Sequence, residues 1–266
     1  MGTSHNEKAN EIFYNKTAIN YESTGRINQE GNKKRIRDIL SKVIHDKDIK
    51  ILDVCCGAGL YLNILKDFTE EENLTGLDIS SEMLEISAKF CKNLKLGSVY
   101  NLPFDDNSFD LVTCSSALHH LDNLEKAISE IYRVLSPGGI FISDYDNNVH
   151  FAKIHNLKRK LFKALLVYPI FIKLFKKTNK SSSKGLKEKN LEELSLEELH
   201  KISEAQNYHQ DGVNGVWLRN FLLGAGFKKT EIFVYNSHKW NKGVFFNPWN
   251  NIFNNKLYSI STKQEV

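Results

Sequence analysis

Asp53, Gly57 and Gly59 lie in the run ILDVCCGAG (51–59), and Asp78 follows 25 positions after Asp53 in LTGLDIS (74–80). A short apolar run ending in an acid and then glycines reads as a strand that delivers Asp53 to its C-terminal end. The two glycines let the backbone pass close to a ligand. The turn opens a helix, whose free N–H groups can meet a carboxylate. Asp53 itself favours a ligand with a positive amine nearby, and a phosphate-binding turn would not want an anion there. An acid at the end of the second strand can accept both hydroxyls of a ribose. Together the two aspartates describe a ligand with an amine at one end and a ribose further along. Leu62 stands where a dinucleotide loop would have its third glycine, and the lysine of a phosphate-binding G-K-[ST] loop is absent.

The elements that would hold these residues follow from periodicity. Residues 7–45 read as helical, with Ile36, Ile39, Leu40 and Val43 on one face. Strands are expected in the apolar run KILDVCCGAG (50–59) before its glycine-rich turn, and at 74–80, 94–99, 109–117 and 139–145, with helices at 60–68, 81–91 and 122–135. Ser80 or Ser81 would cap the helix at 81–91. This strand–helix alternation implies right-handed crossovers and a doubly wound sheet. A helix over 213–224 and two alternating segments, 227–236 and 256–262, close the chain as an antiparallel hairpin.

The 266 residues are 41% hydrophobic and 26% charged, the composition of a globular protein with a real core. The start, MGTSHNEKAN, has no apolar region of a secretory signal, and no apolar stretch is long enough to span a bilayer. The four cysteines (Cys55, Cys56, Cys91, Cys114) form no C-x-x-C pair, so free thiols in a reducing cytoplasm are expected, with no metal site.

Four segments, ILDVCCGAG, LTGLDIS, NLPFDDNSFDLVTCSSALHHL (101–121) and RVLSPGGIFISDYD (133–146), are similar in order and spacing to the class I S-adenosylmethionine-dependent methyltransferases, in the group that methylates small molecules and lipids. FYNKTAINY (13–21) resembles the helix that caps the cofactor there. The resemblance implies an α/β, Rossmann-like, doubly wound seven-stranded sheet with an antiparallel final strand and a helical insertion. It implies S-adenosylmethionine as cofactor and a small-molecule or lipid-like acceptor, methylated at O, N or C. On this resemblance Asp53, Cys55, Gly57, Ala58 and Gly59 line the methionine portion. Asp78 holds the ribose, with Ile79 and Met83 against the adenosine. Ser98 and Val99 fall at the adenine, Ser115 near the transferring methyl, and Tyr14 and Tyr21 close the pocket from above. His119, His120 and His209 are candidate bases, since histidine titrates near neutral pH. Tyr145 and Trp217 are candidate substrate walls.

Two positions depart from the family pattern. Cys55 replaces the commoner first glycine, so the backbone there is expected to avoid a glycine-only conformation. Ser98 replaces the usual aspartate, which removes a charged acceptor for the adenine amine and implies weaker adenine discrimination. Cys114-Ser115-Ser116-Ala117 lacks the Pro-Pro-aromatic motif of nucleic-acid amino-methyltransferases, and no cysteine follows a proline, so nucleic acid is not the expected acceptor.

The net charge of +4 is the difference of two unlike parts. Residues 151–189 hold 12 Lys and Arg against one acid, Glu188, and so carry +11. The remainder, with 24 basic and 31 acidic residues, carries −7. The expected organisation is a core of 1–146 and 207–266 with a basic helical insertion at 147–206. That insertion suits a lid over the acceptor or a segment lying on an anionic membrane surface. A membrane-associated quinone or lipid methyltransferase is therefore a second enzymatic reading, and a cofactor-binding partner without turnover is the reading from another class.

Overall fold

The computed structural model describes residues 4–21, 30–147, 190–204, 213–236, 239–245 and 256–265. The expected strands form β1 (Ile51–Val54), β2 (Leu74–Asp78), β3 (Asn93–Leu96), β4 (Phe109–Ser115), β5 (Leu135–Asn147), β6 (Phe227–Asn236) and β8 (Lys256–Lys263). A further strand, β7 (Lys239–Phe245), joins them, and the sheet order is β3-β2-β1-β4-β5-β8-β6-β7. The first five strands run parallel. β8 is antiparallel to both β5 and β6, and β7 pairs on the outer side of β6. The two expected closing strands do pair, but β7 separates them along the chain. β2 and β3 lie on one side of β1, and β4 and β5 on the other, so the C-terminal ends of β1 and β4 form the switch point where an open α/β sheet binds ligands.

Strand residues alternate between two cores. Leu52, Val54, Val112, Cys114 and Phe141 pack on one face with α5 (Leu124–Val134) and α7 (Gly215–Gly224). Ile51, Leu111 and Ile142 pack on the other with α2 (Glu30–Leu40) and the short α3 (Leu62–Leu65). This is the period-two sorting of a sheet covered on both sides. α5 buries Leu124, Ala127, Ile128, Ile131 and Val134, the stripe that the 3.6-residue period marks. Asn123 caps it by accepting from Lys126 N at 3.0 Å, and Asn214 caps α7 in the same way. Ser80, not Ser81, caps α4 (Ser81–Ser87), accepting from Met83 N at 3.2 Å.

The first helical region is two helices. α1 (His5–Tyr21) lies across the C-terminal ends of the strands, separate from α2. It packs through Ala9 on Leu191, Leu194 and Leu199, which flank and enter α6 (Leu196–Glu204). Asn6 Nδ2 donates to the Ile202 carbonyl at 3.2 Å. Residues 190–204, the end of the expected insertion, thus form a roof with α1. The basic stretch 151–189 lies outside the described residues.

Asp144, fully buried on β5, ties the second face together. It accepts from Arg35 Nη2 at 3.1 Å and Nε at 3.3 Å, from the Tyr61 hydroxyl at 2.7 Å and from the Tyr235 hydroxyl at 2.9 Å. Burial opposes the charge on Arg35, but the carboxylate more than offsets it and the guanidinium's pKa is raised. One residue later the β5–β8 pairing shifts register: Asp144 faces Tyr258 and Asp146 faces Leu257. Tyr145 is the extra residue of this bulge, at φ +67°. Tyr258 belongs to the second core and Leu257 to the first. The bulge therefore turns Asp146 to the face opposite Asp144, as bulges beside binding sites do.

Asp144→Ala leaves Arg35 buried without its anion. The expected loss is about 3–5 kcal/mol of stability, read as a lower urea midpoint at unchanged slope.

Candidate active site

A cavity of about 640 Å³ opens at the C-terminal ends of β1, β2, β4 and β5 beneath the α1–α6 roof. The volume is that of a small-molecule or cofactor site, roughly 300–1,000 Å³. Asp53 and Asp78 are on its wall, on neighbouring strands. The Thr113 hydroxyl donates to Asp53 Oδ1 at 2.6 Å. Burial pushes the Asp53 carboxyl up to about 7; the Thr113 bond pulls it down, and the Asp78 charge adds to the rise. Asp78 accepts from Gly57 N at 2.8 Å and from Ser80 N at 2.9 Å. Burial raises its pKa too, against the pull of backbone N–H groups from Ser80, Gly57 and Ile79. Each oxygen of Asp78 that takes one backbone donor keeps a second lone pair for a ligand hydroxyl.

The two loop glycines do different work. Gly57, at φ +52°, lines the cavity, and no atom of the described residues lies within 4 Å of where its Cβ would be. That open space is what a ligand passing close to the backbone needs. Gly59 is off the cavity wall. A Cβ there would come within 2.8 Å of Phe90 Cδ2 and 3.0 Å of Ser87 Cβ, so Gly59 serves the close approach of α4. Cys55 also corrects the expectation drawn from its side chain. It keeps a left-handed backbone, φ +54°, in spite of its Cβ.

Cys55, Gly57, Ala58, Asp78, Ile79, Met83, Val99 and Ser115 all line the cavity, as do Tyr14 and Tyr21 on α1. Ser98 does not. Its hydroxyl turns toward α1 and donates to Glu7 Oε1, and it is Glu7 that borders the cavity beside Gly97 and Val99. Glu7, Asn10, Tyr14, Thr17 and Tyr21 all line the cavity. Their spacing of three, four, three and four is one face of a helix, here a polar face turned inward. Asn10 bonds to Asn6 and reaches the His120 carbonyl at 3.5 Å, while its buried Oδ1 has no partner among the described residues. The inward polar face was the available signal for Glu7, Asn10 and Thr17, and an apolar-stripe search passes over it.

His119 and His120 both reach the cavity, and their environments separate them. His120 Nδ1 faces the Ser203 carbonyl at 3.4 Å, so Nδ1–H donates and Nε2 accepts from the Tyr14 hydroxyl at 3.0 Å. Burial first, then the neighbouring His119, lowers its pKa to about 3. It is a neutral strut between loop, roof helix and α6, with no nitrogen left for a substrate proton. His119 Nδ1 lies 2.8 Å from Asp146 Oδ1, the carboxylate that the β5 bulge turns to this face. Asp146 Oδ2 is buried with no hydrogen-bond partner among the described residues. Tyr145 lines the cavity, and Lys256 Nζ sits 4.0 Å from its ring centroid. Trp217 is not on the wall. It stacks on Phe221, centroids 4.9 Å apart, and packs against the first core from α7. His209 lies outside the described residues. Among the described residues there is no metal-binding cluster.

The donor set fits S-adenosylmethionine: a carboxylate for an ammonium, a second for ribose hydroxyls, and Ile79, Met83 and Val99 for an apolar ring. Asp53 must be ionised to meet the ammonium. With its pKa near 7, the affinity for S-adenosylhomocysteine should fall several-fold from pH 7.5 to pH 6 by isothermal titration. Asp53→Asn should bind weakly and lose this dependence. The sign for stability is opposite. A carboxyl with a raised folded pKa stabilises most below its unfolded value near 3.9, and that contribution declines as pH rises toward about 7.

The comparisons with known proteins agree with this geometry. A family model described as a methyltransferase domain matches residues 52–143. The chain is 31% identical over 226 residues to a demethylmenaquinone methyltransferase of Staphylococcus haemolyticus, covering 82% of this chain and 91% of that protein. It is 32% identical over 227 residues to the Staphylococcus aureus enzyme of the same name, covering 77% and 91%. A solved S-adenosylmethionine-dependent methyltransferase of Thermotoga maritima superposes with a TM-score of 0.60 at 15% identity, over 96% of this chain and 99% of that one. Another from Methanosarcina mazei superposes with a TM-score of 0.50 at 18% identity, over 86% and 98%. With two carboxylates and an open Gly57 loop at the switch point of the sheet, the chain belongs to the class I S-adenosylmethionine-dependent methyltransferases and methylates a small-molecule or lipid-like acceptor.

Proposed function

We propose that this enzyme methylates a phenolic, quinol-type acceptor and that His119, oriented by Asp146, is its general base. The observation that carries the reading is the 2.8 Å contact between His119 Nδ1 and Asp146 Oδ1 on the cavity wall. When bound, S-adenosylmethionine supplies a methyl group already activated by its sulfonium. The protein has to hold the acceptor in line and exclude water. Asp53, Gly57 and Asp78 with Ile79, Met83 and Val99 hold the cofactor, and Tyr14 and Tyr21 cover it. Ser115, His119 and Tyr145 border the acceptor side at the ends of β4 and β5.

With Nδ1–H donated to Asp146, Nε2 of His119 is the basic nitrogen, ready to take the proton of an acceptor hydroxyl. The resulting imidazolium gives the buried Asp146 carboxylate a counter-charge. Lys256, on the same wall, favours negative charge developing on a phenolic ring. The two staphylococcal relatives are named for a quinone substrate, which supports an acceptor of this class.

His119→Ala should lower kcat on demethylmenaquinol or a water-soluble hydroquinone analogue by about 100-fold or more, with S-adenosylhomocysteine affinity within threefold of wild type. Asp146→Asn should lower kcat in the same direction. Unchanged kcat in His119→Ala would remove the base from this reading, and turnover confined to amines in an acceptor panel would remove the quinol.

The +11 charge of residues 151–189 supports peripheral contact of the enzyme with anionic membrane, where a lipid-like acceptor would be found. No helix among the described residues is long and apolar enough to cross a membrane. Co-sedimentation with phosphatidylglycerol-containing vesicles is expected at low salt and should be lost at 0.5 M salt; absence of co-sedimentation at low salt overturns the contact.

A further inference from the structure

We propose that Glu7, on the roof helix α1, is the group that recognises the amine of the cofactor's adenine. Asp53 ends β1 and Asp78 ends the adjacent β2, and β3 lies next in the sheet. Neighbouring strands are about 4.8 Å apart, so the C-terminal ends of β1, β2 and β3 form a line about 10 Å long. A ligand whose ammonium meets Asp53 and whose ribose meets Asp78 has only one direction left for its base: toward Gly97 and Val99, just past β3. Those two residues and Glu7 border that end of the cavity.

An adenine differs from other purines at this edge by its exocyclic amine, a donor that needs an acceptor. β3 offers no carboxylate here, because Ser98 stands between Gly97 and Val99 and its side chain is turned off the cavity wall. The carboxylate arrives from another element. Glu7 Oε1 is held by the Ser98 hydroxyl, which itself accepts from Tyr100 N at 3.1 Å. The second oxygen, Oε2, has no hydrogen-bond partner among the described residues. The chain Tyr100 N–H, Ser98 hydroxyl, Glu7 carboxylate fixes the side chain in one orientation and leaves one charged acceptor to the ligand. Glu7 is 9% exposed, so an amine donated to it meets little competition from water. Ser98 is then a positioning residue, and the loss of an acid from β3 is made good by α1. The weaker adenine discrimination expected from Ser98 alone does not follow.

The arrangement has a second consequence. The carboxylate sits on the roof, so the base is read only when α1 is seated over the strand ends.

The test is binding of S-adenosylhomocysteine against S-inosylhomocysteine, in which a carbonyl replaces the adenine amine, by isothermal titration on the full-length protein. Wild type should prefer the adenosyl ligand about tenfold or more, the size expected of a hydrogen bond to a charged acceptor. Glu7→Gln keeps the shape and can turn its amide to donate. It should bring the two affinities within about threefold of each other or invert them. In a Glu7→Ala background, Ser98→Asp should restore the adenosyl preference by returning a carboxylate to β3. A wild type that fails to discriminate, a measurement that needs no variant, overturns the proposal. So does a folded Glu7→Gln protein that retains the full adenosyl preference.

Discussion

The buried Asp144 carboxylate is the point from which the rest of the site is hung. Four hydrogen bonds bring it α2 through Arg35, the start of α3 through Tyr61 and the antiparallel half of the sheet through Tyr235. Tyr61 follows the Gly57–Gly59 turn by two residues, so the cofactor loop is tied to the same carboxylate as the far side of the sheet. Such a group is costly to bury and is retained only when its partners are complete. With this end of β5 held, the next residue can bulge, and the bulge sends Asp146 to the opposite face, where His119 waits. Two aspartates separated by one residue thereby serve a structural knot and the cavity wall that carries His119 without competing for one side of the sheet.

The site divides along the strand order. On one side of the β1–β4 switch point lie the two carboxylates that suit an amine and a ribose. On the other lie Ser115, His119 and Tyr145. A parallel sheet whose crossovers all bring the chain back to the same edge gathers these residues from positions 53 to 146 without long loops. Each carboxylate has its own electrostatic task. Asp53 stands near neutrality because it is buried with only Thr113 to steady it. Asp78 is more fully steadied by backbone N–H groups from two turns.

Strands β1 to β5 were legible because short runs that are mostly apolar alternate with segments of helical spacing, and Asp53 and Asp78 carried their chemistry in their spacing. The acidic roof residue was not legible. An acid in the first turn of a helix reads as a partner for the helix dipole, and only the fold shows that Glu7 shares an inward face with Asn10, Tyr14 and Thr17. Asp146 was hidden for a related reason: period-two counting puts it beside Asp144, and one extra residue at Tyr145 reverses that. Gly59 and Ser98 matched the motif in position but meet α4 and α1, so their places in the pattern serve packing and positioning. β7 escaped notice because Lys-Trp-Asn-Lys-Gly-Val-Phe has no clean alternation. Trp217 belongs to the apolar stripe of α7, which helical spacing alone could not separate from a pocket wall.

The strut Tyr14–His120–Ser203 joins the roof helix, the loop after β4 and α6 through one imidazole. A neutral imidazole has one donor and one acceptor, and both are committed. Substitutions in α6 that displace the Ser203 carbonyl therefore pull on Tyr14, and through it on the helix that roofs the cavity: the two roof elements move as one body.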